Sequence, residues 1–240
     1  MSQVRSDRIE NSEEILQLLE SPLSTVSQPR NLALAYRLEE RRQNQDLGQL
    51  NTQLLHQLRL RSSNTIHDSK ALSHWARTNQ WMLEHFTGTG DITLDFIREI
   101  NGRLSGLDEP AECRRQACYT ANQEYLAWEE VEPALDRLLM RIGSCHNALE
   151  SAFLLTEGLL TIHPFADANG RTSRLMGDFV LLKAGYLPQV YLSPIVSHMA
   201  LTINGPRRNR SHSYEKFLKG VTRTYDLCLP QSEARRSFCE

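Results

Sequence analysis

Apolar residues recur at three- and four-residue spacing along almost the whole chain, and only one short stretch departs from that period. Such a pattern gives each segment one apolar stripe and cannot supply the alternating faces a sheet core needs. The expected fold class is therefore all-α. With 240 residues there is chain enough for one large domain, or one domain with an accessory segment, around a sizeable core. Helices are expected over about 6–20, 31–44, 45–64, 69–86, 94–104, 132–143, 145–161, 171–184 and 214–227. Asp91 or Thr93 is placed to cap the helix that follows it, Pro133 suits a first turn, and Gly185 suits a helix end. The exception is CRRQACYTANQEYLAW, from Cys113 to Trp128, which alternates around a polar Ala121-Asn122-Gln123 centre and reads as a hairpin.

Charge and cysteine usage exclude several roles. Lys and Arg number 27 against 29 Asp and Glu, a formal net charge of -2, so there is no basic field of the kind that drives nucleic-acid binding. Arg207, Arg208 and Arg210 form one local basic run, read as a solvated or protein-contacting patch. No uncharged apolar run reaches the roughly 18 residues of a membrane span, and the charged first residues lack the apolar stretch of a signal peptide. The expected protein is cytoplasmic, or secreted without a recognisable signal, with no membrane and no nucleic-acid partner. Five scattered cysteines without a CxxC pair read as reduced thiols.

The informative stretch lies between the two most apolar helices, His163-Pro164-Phe165-Ala166-Asp167-Ala168-Asn169-Gly170-Arg171-Thr172-Ser173-Arg174. A helix that starts near Gly170 presents unpaired backbone N–H groups and a positive dipole end, a receptor for phosphate. Small residues at 168 and 170 let the backbone approach that anion. Arg171 and Arg174, three apart, lie on one side of the first turn and can both hold phosphate oxygens. Asp167 offers a hard oxygen to Mg²⁺ shared with substrate phosphates. Neutral His163 is suited to take a proton from an attacking hydroxyl. Singly, each residue also has a plain turn or surface reading; together they are equipment for attack on a nucleotide phosphate.

This stretch resembles the signature of the Fic family, which reads His-Pro-Phe, any residue, Asp or Glu, Gly-Asn-Gly-Arg, two of any kind, Arg. A weaker likeness runs from about Ile92 to about Leu227. The resemblance implies a Fic fold, a helical core with a short β-hairpin flap, over 87–230, preceded by an N-terminal helical region over 1–86 and followed by a tail over 231–240. It implies transfer of AMP from Mg-ATP to a Ser, Thr or Tyr hydroxyl of a target protein, with release of pyrophosphate. By position, His163 matches the general base and Asp167 the magnesium ligand. Ala168, Asn169, Gly170 and Arg171 match the phosphate cradle, Arg174 the γ-phosphate arginine, and Tyr214 a tyrosine near the adenine. The flap, about 113–127, would pair with an extended target segment. Some relatives use UMP or phosphocholine donors, and a catalytically impaired nucleotide-binding protein is a further alternative. The departure is Ala168, where the family has Gly; at positive φ an alanine costs on the order of 1 kcal/mol.

Many Fic proteins also carry an inhibitory helix with Ser or Thr, three residues, then Glu and Gly or Asn. Ser6-Asp7-Arg8-Ile9-Glu10-Asn11 fits this pattern within the expected helix 6–20. Glu10 paired with Arg174 would take the place of the γ-phosphate and hold ATP in a pose unsuited to in-line attack. In some relatives with this Glu the same site also removes AMP. Ser63-Asn64-Thr65-Ile66-His67-Asp68 is a lesser match, with His67 where the Glu belongs. The stretch from about Gln43 to Asp68 looks inserted relative to the compact family core. The target protein and the oligomeric state, a homo-oligomer included, are left open.

Overall fold

The computed structural model describes residues 15–17, 20, 28–62, 68–85, 92–120, 123–190 and 210–230. Its helices are α1 (Pro29–Asn44), α2 (Thr52–Ser62), α3 (Ser69–Glu84), α4 (Leu94–Ser105), α5 (Val131–Ser144), α6 (Ala148–Ile162), α7 (Asn169–Lys183) and α8 (Arg210–Cys228). Strands β1 (Tyr119–Thr120) and β2 (Gln123–Glu124) pair antiparallel, with Tyr119 opposite Glu124 and Thr120 opposite Gln123. The fold is all-α with a minimal hairpin. Ser6 and Glu10, most of the expected 6–20 helix and the tail from 231 lie outside the described residues. Of that helix, Ile15 is buried in the core and Glu20 lies 3.8 Å from Arg137 of α5.

Local chemistry explains where the helices start and stop. Asp68 caps α3 by accepting from the Lys70 and Ala71 N–H groups, Thr93 caps α4 through the Phe96 N–H, and Asn147 caps α6 through Leu149. Gly185, at φ 81°, makes the left-handed turn after α7. The expected helix over 45–64 is broken in two. Asp46 accepts from the Gly48 N–H to make a short 3₁₀ turn, Leu47–Gln49, and the Asn51 side chain then accepts from the Leu54 N–H at the start of α2. His146, expected on a helix face, lies in the loop before the Asn147 cap.

From Ser151 to Ile162 every residue of α6 is buried. A helix without a polar face must be covered on all sides, and α5, α7 and α8 do so. Close approach is obtained with glycine. A Cβ on Gly177 of α7 would lie 2.1 Å from the Thr156 Oγ1, and one on Gly158 would lie 2.6 Å from Leu138 of α5. Ile15, Leu38, Trp75 and Met82 share one apolar core with α4 to α8. Trp128, in contrast, is exposed.

Two buried ion pairs fasten the outer helices. Arg59 of α2 donates to Asp178 of α7 at 3.2 and 2.8 Å, with its guanidinium 5.5 Å from the Trp75 ring centroid. The stretch that looked inserted thus reaches α7 through α2. Arg210, in the basic run read as a surface patch, is instead buried and donates to Glu157 of α6. That bond ties the first described turn of α8 to α6. Removing one partner strands a charge in the interior. Arg210→Met is expected to destabilise the protein by about 3 kcal/mol or more, and the double variant with Glu157→Leu to regain most of the loss. Urea unfolding decides; a single variant as stable as wild type would show that the pair does not anchor α8.

The end of α7 is tied to α1 through Glu39, which accepts from Arg42 and from the Tyr186 hydroxyl. The Arg42 guanidinium, followed by the Tyr186 hydroxyl, lowers the Glu39 carboxyl from 4.5 to about 2. A depressed carboxyl contributes stability above its unfolded value and loses it as pH falls towards the folded one. Wild type is therefore expected to lose stability between about pH 4.5 and pH 2, and Glu39→Gln to flatten that part of the profile. Identical acid profiles for the two proteins would refute this.

Candidate active site

The loop between α6 and α7 is bracketed by two residues in the left-handed region, His163 at φ 53° and Ala168 at φ 60°. Both carry a Cβ, and each pays a conformational cost. The turn is closed from within by Asn169. Its side-chain oxygen accepts from the Phe165 N–H at 2.9 Å and its amide donates to the Phe165 carbonyl at 2.8 Å. Asn101 of α4 adds an outer brace, donating to the Asp167 carbonyl and to the Thr172 hydroxyl, each at 2.9 Å. Asn169 is thus turned inward, so its side chain braces the cradle and its backbone N–H faces the helix start.

Helix α7 starts without a side-chain cap, because Ala168 has none to give. Its first intrahelical bond runs from the Thr172 N–H to the Ala168 carbonyl at 2.8 Å. The N–H groups of Asn169, Gly170 and Arg171 precede that ladder, as an anion site needs. Arg171 donates to the Leu104 carbonyl at 3.0 Å and to the Asp167 carboxylate at 3.1 Å. The Asp167 side chain is 76% exposed at the mouth of the loop. Arg174 lines a small polar pocket with Arg59, Ser62, Trp75, Asp178 and Gln189. Burial raises the Asp178 carboxyl, while the charges of Arg59 and Arg174 act against that rise.

His163 ends α6, its N–H donating to the Leu159 carbonyl at 3.1 Å. Histidine, carboxylate, uncapped helix start and both arginines are therefore gathered about one loop. Tyr214, matched by position to a tyrosine near the adenine, sits in the interior. The Tyr214 ring is 2% exposed and packs with Phe153 at 5.0 Å and Phe217 at 6.4 Å. Burial raises its hydroxyl well above the ordinary tyrosine value.

Sequence reasoning missed Arg114 and Tyr125, which reach His163 from the stem of the hairpin, and Asn101, which reaches the loop from α4. All three act across long sequence separations, so no local spacing reveals them. Between Arg114 and Arg115, only the structure tells which turns inward: Arg114 is buried and Arg115 exposed.

The Fic/DOC family model matches residues 91–181. The chain is 35% identical over 109 residues to protein adenylyltransferase Fic of Nematostella vectensis, covering 41% of this chain and 25% of that protein. It is 33% identical over 107 residues to protein adenylyltransferase Fic of Drosophila melanogaster, covering 42% and 22%. The chain spans about a quarter of the length of these curated relatives. Among solved structures it resembles IbpAFic2 in complex with adenylylated Cdc42, with TM-score 0.61 and 16% identity over 88% of this chain and 76% of that one. It also resembles a Fic domain containing signaling protein from Bacteroides thetaiotaomicron, with TM-score 0.53 and 17% identity over 89% and 94%.

Ala168 at φ 60° is the strained departure from the family pattern. Ala168→Gly removes a left-handed penalty of about 1 kcal/mol and returns part of it as unfolded-chain entropy. The variant is expected to be neutral or up to about 1 kcal/mol more stable in urea unfolding, whereas Ala152→Gly inside α6 loses stability. A clear loss in Ala168→Gly would show that the turn does not carry this strain.

Proposed function

Taking as premise that residues 91–181 are a Fic domain, we propose that the chain is a protein adenylyltransferase. It moves AMP from Mg-ATP to a Ser, Thr or Tyr hydroxyl of a target protein. The observation that carries this is the single loop that sets His163 at the end of α6 against the uncapped start of α7, with Arg171 and Arg174 on its first turn. The curated relatives named protein adenylyltransferase support the chemistry, and the neighbour bound to adenylylated Cdc42 supports a protein as acceptor.

In this reading the α7 N–H groups and Arg171 hold the phosphates, with Arg174 at the γ position. His163 removes the proton of the target hydroxyl as its oxygen bonds to the α-phosphorus. The bond from that phosphorus to the bridging oxygen breaks, and pyrophosphate leaves. One exposed carboxylate at the mouth of a phosphate site fits Mg²⁺, which takes few protein ligands beside substrate phosphates. Asp167 would hold it, and the ion would neutralise charge on the phosphates. Nucleotide entry exchanges the exposed Asp167–Arg171 pair, worth about 0–1 kcal/mol, for stronger phosphate contacts. The described cysteines are free thiols, which suits a reducing compartment such as the cytoplasm.

Regulation by Glu10 and Ser6 belongs to the same proposal. A specific observation favours testing the lesser motif beside it. Ser62 lines the pocket with Arg174, and Arg171 is among the charges that lower the Asp68 carboxyl, after its bond to the Ala71 N–H. These residues flank 63–67, so Glu10→Gly and His67→Ala are compared.

The experiment incubates purified proteins with Mg²⁺, α-labelled ATP and a cell lysate, and reads label on protein. Glu10→Gly is expected to transfer label, wild type to do so only faintly, and His163→Ala to lose it by about 10²-fold or more. Excess ATP should suppress labelling, with excess UTP or CDP-choline ineffective. Label that persists in His163→Ala, or competition by UTP alone, would refute the reading.

A further inference from the structure

His163 is held in an unfavourable conformation by residues outside the motif. Its backbone, φ 53° and ψ 60°, is left-handed, a region that a residue with a Cβ enters only against steric opposition. Pro164 follows it, and the proline ring drives the preceding residue towards extended backbone. Two constraints therefore oppose the geometry that ends α6 at the histidine.

What opposes them comes from the stem of the hairpin. The Arg114 Nε donates to the His163 carbonyl at 2.7 Å, and its backbone N–H donates to the Pro164 carbonyl at 2.8 Å. Its terminal nitrogens donate to the carbonyls of Gln116 at 2.8 Å, of Leu126, and of Ile162 at 3.3 Å. One buried guanidinium thus joins both legs of the hairpin to the end of α6. From the second leg Tyr125, 4% exposed, lays its ring on the imidazole, with centroids 3.9 Å apart and planes inclined 24°. The Tyr125 N–H donates to the Cys118 carbonyl at 3.2 Å, which fixes the tyrosine in register with the first leg. Stacking engages the face of the imidazole and leaves its two nitrogens, which lie in the ring plane, clear of the tyrosine ring.

We propose that Arg114 and Tyr125 are positioning residues for His163: Arg114 holds its backbone and Tyr125 its ring, so that the hairpin stem builds the base together with the motif. This rests on the reading of His163 as the base. A displacement of about 1 Å in such a group costs on the order of 10²-fold in rate, which a loosened imidazole would show. Strand pairing at β1 and β2 acts on the same stem, so target docking and base orientation share one support.

The test follows the His163 ring by NMR in protein labelled at histidine, with His163→Ala to assign the signal. Wild type should show a strong contact between the Tyr125 and His163 ring protons. Tyr125→Leu should move the His163 resonance and lower kcat for labelling by about 10²-fold, with KM for ATP nearly unchanged. Tyr125→Phe, which keeps the stack, should restore both. Arg114→Lys keeps the charge without the fork and should also move the resonance. Absence of the ring contact in wild type, which needs no variant to fold, would overturn the proposal. So would an unmoved resonance in Tyr125→Leu or Arg114→Lys, or no recovery in Tyr125→Phe. If the resonances behave as expected while no protein transfers label, the transferase reading falls and the positioning roles stand.

Discussion

The structure depends on a helix that has no solvent face. Because α6 is buried throughout its last three turns, its neighbours must cover it closely, and Gly177 and Gly158 permit the approach. The one acidic side chain within that buried run, Glu157, is 1% exposed and cannot stay charged there without a partner. Arg210 supplies it, and in doing so ties α8 to α6. Packing of α6 thus decides the position of a helix more than forty residues further along the chain. It also carries His163 to a defined place at its C-terminal end.

From that end the chain must turn and start α7 within six residues. The turn is made with left-handed backbone at His163 and Ala168, neither of them glycine. Strain of this kind persists only where surroundings over-determine it. Here the Asn169 amide closes the loop on Phe165, Asn101 braces its outside, and Arg114 holds its first two carbonyls. The polar groups that stabilise the turn point into the protein. The carboxylate of Asp167 and the uncapped start of α7 are what it presents at its mouth.

Much of this was legible in the sequence, for physical reasons that differ by element. Helical period is a local property, so α1, α3, α4 and α5 fall close to where spacing and caps place them, and Thr93 and Gly185 mark ends as expected. The motif was legible because helix start, carboxylate, histidine and arginines lie within twelve residues. The break before α2 was hidden because Asp46 and Asn51 compete with the helix through their own side chains, a tendency that periodicity does not register. The burial of Arg210 and Tyr214 was hidden because each depends on a partner far away in the chain, Glu157 and Phe153. Arg114 was hidden for the same reason: its five acceptors are backbone carbonyls, which have no signature in a sequence.

The two strained residues put opposite demands on the loop. At His163 the strain is opposed by contacts that also orient the imidazole, so relieving it would loosen the group it serves. At Ala168 the left-handed turn starts α7, and a glycine would make the same turn without the penalty. The methyl group is 5% exposed and part of the apolar core cluster, so its packing returns some of that cost. Arg171, bound to the Leu104 carbonyl of α4, then ties the first turn of α7 to α4. An alanine in this turn therefore alters the rigidity of the cradle more than its direction, because direction is fixed by Asn169, Asn101 and Arg171 together.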